Sequence, residues 1–224
     1  VDCDLSQDSF YKLRQREKAF VEGDPLVSQQ MNNYFSTLGR VSYRVLKADP
    51  KGAIAKAAEH IRKNPKKRFE LVVFDFPGHA GTSDLLELSL EMDYILSPIE
   101  ADVQSMVSCL AYAKTMQDLG VSMTGARIKD VMLLWNKVDR RVKSTLIEKY
   151  SEYIRNEGYT LFDEHVYAAH RFCHELEQYG FRGAFRSTYL APGKAQRAGT
   201  GLDEMIDSLL THIRLKKEAD NGTD

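Results

Sequence analysis

Two apolar runs that each end in a polar side chain constrain this chain most. The first is Phe69-Glu70-Leu71-Val72-Val73-Phe74, closed by Asp75 and a Pro77-Gly78 turn; the second is Val131-Met132-Leu133-Leu134-Trp135, closed by Asn136-Lys137-Val138-Asp139. Short, Val- and Leu-rich runs bounded by turn signals read as strands buried on both faces, which is the habit of parallel sheets. Helical periodicity separates them. It runs through Phe10, Leu13, Phe20 and Val21 to Gly23-Asp24-Pro25, then over 27–38 up to Gly39, from Asp49-Pro50 to Arg62, from Ser83, over 103–119 up to Gly120, over 144–156, near 170–179 and over 202–215. Further strands are expected at 41–46, where Val41, Tyr43 and Val45 alternate, and at 94–99. Strand–helix alternation predicts an α/β fold of three layers, a mostly parallel sheet with helices on both faces. In such sheets ligands bind beyond the carboxyl ends of the strands. Asp4, at the end of the short run Val1-Asp2-Cys3-Asp4, Asp75 and Asn136 are all expected at such ends.

The 224 residues suffice for one large α/β domain and are few for two. The reading is a single domain over 1–217, truncated at its N-terminus because the chain opens inside a strand, with a flexible polar tail at 218–224. A net charge of −1 leaves nucleic-acid binding to local basic patches. The clusters are Lys66-Lys67-Arg68, Arg140-Arg141-Lys143 and Arg214-Lys216-Lys217, and Arg140, Arg141 and Lys143 are favoured because they follow the second apolar strand. Cys3, Cys109 and Cys173 form no CxxC pair, which suits a reducing cytoplasm. No apolar run reaches the length of a membrane span. His170 and His174 stand four apart, a spacing that can chelate zinc, but no third ligand follows at helical spacing and a solvated face is the simpler reading.

An Asp at the end of a buried strand followed by a Pro/Gly turn is how nucleotide-hydrolysing folds hold Mg²⁺ near phosphate. Gly78 would let the backbone approach a phosphate closely. An Asn after a buried strand can donate to a purine nitrogen, and a Lys stem can cover the ring. The alternatives for these residues are capping and turn roles.

Taken in order, Val-Asp-Cys-Asp at 1–4, Phe-Glu-Leu-Val-Val-Phe-Asp-Phe-Pro at 69–77, Met-Asp-Tyr-Ile-Leu-Ser-Pro-Ile at 92–99 with Asp102, Leu-Leu-Trp-Asn-Lys-Val-Asp at 133–139 and Phe-Arg-Ser-Thr-Tyr-Leu-Ala-Pro at 185–192 resemble the ParA/MinD family of deviant-Walker ATPases. The likeness is nearest to ParA-like proteins encoded with conjugative-transposon transfer genes. It implies a P-loop NTPase fold that here lacks its first strand and phosphate loop, since no G-x-x-x-x-G-K-[ST] occurs. It implies that Asp4 positions the attacking water, that Asp75 holds Mg²⁺ through water, that Asn136 reads adenine and that Pro192 packs on the base. Asp2, Pro77, Gly78 and Asp139 would lie in the nucleotide site. The cofactors implied are ATP and Mg²⁺. The implied partners are non-specific DNA, a ParB-like or transfer-protein partner that stimulates hydrolysis, and a second copy in an ATP-dependent homodimer; a membrane is not among them. The expected role is a cytoplasmic switch for partition or conjugative transfer of mobile-element DNA. The 224 residues alone are expected to hydrolyse nothing.

Two rival readings compete with this one. Asp75-Phe76-Pro77-Gly78-His79 with Asn136-Lys137-Val138-Asp139 also resembles GTPases, in which the last Asp accepts two guanine N–H groups. A partner-binding relative that binds no nucleotide is the other.

Overall fold

The computed structural model describes residues 1–7, 9–78, 82–141 and 145–216. Lys143, His79 and the 218–224 tail therefore lie outside the described residues. The chain divides into two compact units, Val1–Leu85 with His170–Gln196, and Leu86–Ala169 with the described residues from Arg197 onward.

The second unit carries a three-stranded parallel sheet in the order β1 (Tyr94–Ile99), β2 (Asp130–Val138), β3 (Thr160–Tyr167). Between strands run α5 (Val103–Ser122) and α6 (Thr145–Asn156), and α9 (Leu202–His212) follows. Asp102 starts α5 by accepting the Ser105 N–H at 2.8 Å. Strand alternation splits β2 between two cores. Val131, Leu133 and Trp135 pack with Ile95, Ile99, Met106, Met116, Ile147 and Ile154, so α5 and α6 cover one face. Met132 and Leu134 are buried on the other face. There, α9 meets β3 through the Phe162–His212 ring contact and the Ser208–Glu164 hydrogen bond. Trp135 is fully buried, and its indole N–H donates to Ser151 Oγ at 2.8 Å. This unit is α/β with helices on both faces, as the alternation predicts.

Helix α5 runs past Gly120, the expected stop. The second apolar strand also continues through Asn136 and Lys137 to Val138, rather than ending before them. Lys137 has a left-handed φ of 54°, and the β2–β3 register shifts between Trp135 and Val138. This irregularity resets the alternation, so that Val138 rejoins the face of Trp135.

The first unit holds α1 (Ser9–Gly23), α2 (Pro25–Leu38), α3 (Ala53–Arg62) and α7 (Leu176–Gly183). Asp24 caps α2 by accepting the Leu26 and Val27 N–H groups, and left-handed Gly39 ends it. Met31, Leu176, Ala184 and Leu190 form its core with Phe20, Phe35 and Tyr189. Helices α4 (Ser83–Leu90) and α8 (Lys194–Arg197) and a 3-10 turn at His170–Cys173 complete the assigned helices among the described residues.

The expected strands at 41–46 and 69–74 are not regular strands. Asp2 makes isolated parallel bridges to Lys47 on one side and Asp75 on the other. Asp2 N–H donates to Leu46 O, Ala48 N–H to Asp2 O, Asp75 N–H to Val1 O and Cys3 N–H to Asp75 O. The 69–74 run is also not buried, with Val73 65% exposed and Leu71 and Val72 exposed beside it. An apolar run is buried only where other elements cover both its faces, and among the described residues of this unit the ring contact to the run is that of His60 on Phe69.

Candidate functional site

In the first unit the structure brings three predicted carboxylates together. Because Asp2 pairs in parallel with Asp75, the run 1–4 and the run ending at Asp75 finish at the same end. Asp2 is 1% exposed; its Oδ1 accepts the Asp4 N–H at 3.1 Å and its Oδ2 the Tyr11 N–H at 2.8 Å, which anchors the first turn of α1. Asp4 is buried, and its Oδ1 accepts from Ser6 N at 3.1 Å, Ser6 Oγ at 2.5 Å and Gln7 N at 3.2 Å. Asp75 is the exposed member. Partial burial of its carboxyl, then the nearby charges of Asp2 and Asp4, push its pKa above the ordinary carboxylate range against the opposing pull of the Val1 ammonium. Among the described residues no three His, Cys, Asp or Glu side chains converge to hold a metal ion. A single carboxylate with water and phosphate oxygens is an ordinary Mg²⁺ donor set, and the exposed, charge-crowded Asp75 fits it.

Pro77 is half-buried and Gly78 exposed. A Cβ on Gly78 would meet nothing within 4 Å, so packing inside this unit does not require glycine there. Pro192 is half-buried and ends a loop held by its backbone: Ser187 Oγ accepts the N–H groups of Tyr189 and Leu190, and Tyr34 OH accepts that of Ala191.

The second unit carries the rest. Asn136 is half-buried, and its amide makes no side-chain hydrogen bond among the described residues. Lys137 Nζ pairs with Glu100. Asp139 is engaged by its own chain: Arg141 N donates to Oδ1 at 2.9 Å, Arg141 Nε to Oδ1 at 3.0 Å and Arg141 Nη2 to Oδ2 at 2.7 Å. These bonds hold the Asp139 carboxyl down at about 2. The Arg140 guanidinium lies 3.7 Å from the centre of the Tyr167 ring. Of the three favoured basic residues, Arg140 and Arg141 thus have partners within this unit.

Two depressions open at the carboxyl end of β2. One, of about 320 Å³, is lined by Glu100, Asp102, Lys137, Asp139 and Ile147 among others. The other, of about 400 Å³, is lined by Arg140, Glu148, His165 and Tyr167 with Val138 and Asp139. The sequence did not single out Glu100 or Tyr167. They reach this end from β1 and β3, and only the parallel register brings them there. A left-handed residue that is not glycine costs about 1–2 kcal/mol, and such strain collects at functional sites; Lys137 supplies it beside Asn136.

His170 and His174 adjoin, with Nδ1 and Nε2 3.4 Å apart, and His174 stacks on Tyr179 at 3.8 Å between ring centres. No protein-family model matches this chain, and no curated protein matches it.

Proposed function

We propose that the protein is an ATP-dependent switch of the ParA/MinD kind, in which ATP and Mg²⁺ drive homodimerisation and hydrolysis releases the dimer together with bound DNA. The observation that carries this reading is the parallel pairing of Asp2 with Asp75. It gathers carboxylates from two sequence-distant motifs at one end of adjacent segments, and their mutual repulsion is what a divalent cation relieves. Asp75 is the residue that would hold Mg²⁺, whose charge, when bound, offsets that of the phosphates. Asp4, held by the donors of Ser6 and Gln7, would position water, and Asn136, with its uncommitted amide, would meet adenine. Commitment of Asp139 to Arg141 supports ATP over GTP, because a guanine-reading carboxylate must be open to two base N–H groups. Arg140 and Arg141, with Lys143, are the proposed DNA contacts, and a ParB-like or transfer-protein partner would set the rate of hydrolysis.

The test is the oligomeric state of the protein as its gene encodes it. Light scattering with Mg²⁺ and ATP should report a dimer, and with ADP a monomer. The same mass in both nucleotides would sink the switch.

A further inference from the structure

We propose that His170 and His174 form a two-imidazole site for an exchangeable transition-metal ion of the Zn²⁺ or Cu²⁺ class. The proposal goes beyond the switch reading and does not rest on it. His170 opens the 3-10 turn His170–Cys173, and His174 follows it. Their Nδ1 and Nε2 atoms stand 3.4 Å apart. Zinc holds imidazole nitrogen at about 2.0–2.1 Å, so two such nitrogens on one tetrahedral ion stand about 3.3 Å apart. The pair already has that spacing. A ring-to-ring hydrogen bond explains it less well, because N–H bonds seldom exceed about 3.2 Å.

The two side chains are more than a solvated face. His170 is exposed and His174 half-buried. The His174 ring lies flat on Tyr179, with 3.8 Å between centres and 7° between planes. Its backbone is held on both sides: the N–H donates to the Arg171 carbonyl at 3.0 Å, and the carbonyl accepts from Phe185 N at 2.8 Å and Arg186 N at 2.9 Å. Phe172, between the histidines, packs its ring against Phe185 at 4.7 Å. The turn is thus pinned around the pair, and donors fixed in advance lower the ordering cost of binding. Coordination needs the ring protons on His170 Nε2 and His174 Nδ1. Neither nitrogen has a hydrogen-bond partner among the described residues that would impose the other tautomer.

The donor set decides the ion. Imidazole suits Zn²⁺ and Cu²⁺, whereas Mg²⁺ and Ca²⁺ take oxygen. Glu175, next in the chain, is taken by Arg16 and Arg186. Among the described residues no three His, Cys, Asp or Glu side chains converge, so the remaining positions belong to water or to a donor from outside the chain. That is the open coordination of an exchangeable site, weaker than a structural zinc site with four protein ligands.

The test titrates zinc chloride into the protein as its gene encodes it, by calorimetry, in a non-coordinating buffer with millimolar Mg²⁺. Zinc should bind in the micromolar range and shift the ring-nitrogen NMR signals of His170 and His174 together. His170→Gln and His174→Gln should each weaken binding by about tenfold or more, since even an outer-sphere partner of a metal ligand is worth about tenfold. Zinc should also raise the melting temperature of the parent and of neither variant. His170 is exposed, so its variant should fold and carries the comparison if His174→Gln does not. Zinc affinity unchanged in His170→Gln would place the ion elsewhere and overturn the proposal. So would no binding up to millimolar zinc, or displacement of Zn²⁺ by Mg²⁺.

Discussion

Asp2 and Asp75 are neighbours in parallel register, although 73 positions separate them in the chain, and Asp4 adds its charge to the same end. Asp75 is therefore a carboxylate held where the fold disfavours its charge. Its pKa is raised on folding, so its contribution to stability is fullest below the ordinary carboxyl pKa and is lost as pH rises through the folded value.

Asp75→Asn should accordingly raise the melting temperature slightly at pH 7, by less than about 1 kcal/mol because the group is exposed and screened. The same change should abolish Mg²⁺-dependent nucleotide binding. Thermal melts at pH 7 and at pH 4 check the sign: the gain should shrink in acid. A variant less stable than the parent at pH 7 would mean that Asp75 is engaged in favourable contacts instead.

Asn136→Ala tests the base-side motif. The amide has no side-chain hydrogen bond among the described residues, so stability should change by no more than about 0.5 kcal/mol. ATP affinity should fall about tenfold. A large loss of stability with unchanged affinity would make Asn136 a structural residue.

Arg141→Ala should let the Asp139 carboxyl titrate near the ordinary carboxylate range instead of at about 2. This carboxyl is depressed, so its stabilising share is present above the ordinary carboxyl pKa and is lost only as pH falls toward the folded value. Carbon-detected NMR titration of Asp139 reads the shift directly. If Arg141 is what keeps Asp139 from a guanine, the variant should also gain affinity for GTP relative to ATP.

Gly201→Ala should be far more harmful than Gly39→Ala. Both glycines have positive φ, 74° and 58°. A Cβ on Gly201 would stand 1.9 Å from the His165 carbonyl oxygen, whereas one on Gly39 would meet nothing within 4 Å. Chemical denaturation should show a cost of about 3 kcal/mol or more at Gly201 and about 1 kcal/mol at Gly39. Similar costs would contradict the close packing of the α9 start on β3.

The elements that read clearly in the sequence are those whose own residues decide them. The bounds of β1 come from the apolar run 94–99, the end of α2 from Gly39, and the burial of Trp135 from its place in an unbroken apolar run, whereas α2 starts at Pro25 on its Asp24 cap, two residues before the expected 27. The run 69–74 looked equally apolar, yet its burial depends on covering elements that its own pattern cannot reveal. The left-handed turn at Lys137 was illegible because Lys carries no signal for positive φ. The hold of Arg14 and Glu17 on Thr188, whose carbonyl accepts from Arg14 and whose N–H and hydroxyl donate to Glu17, was hidden for another reason. Within Arg14-Gln15-Arg16-Glu17-Lys18 both residues look like a solvated helix face, and their partner Thr188 lies 171 positions beyond Glu17.

The central claim is the proposed adenine-nucleotide switch, and equilibrium binding of labelled ATP and GTP tests it most directly. The titrations use the protein as its gene encodes it, with Mg²⁺ and again with chelator. The account predicts Mg²⁺-dependent binding that favours ATP over GTP and is lost in Asp75→Asn. A preference for GTP, or no binding of either nucleotide, would contradict it.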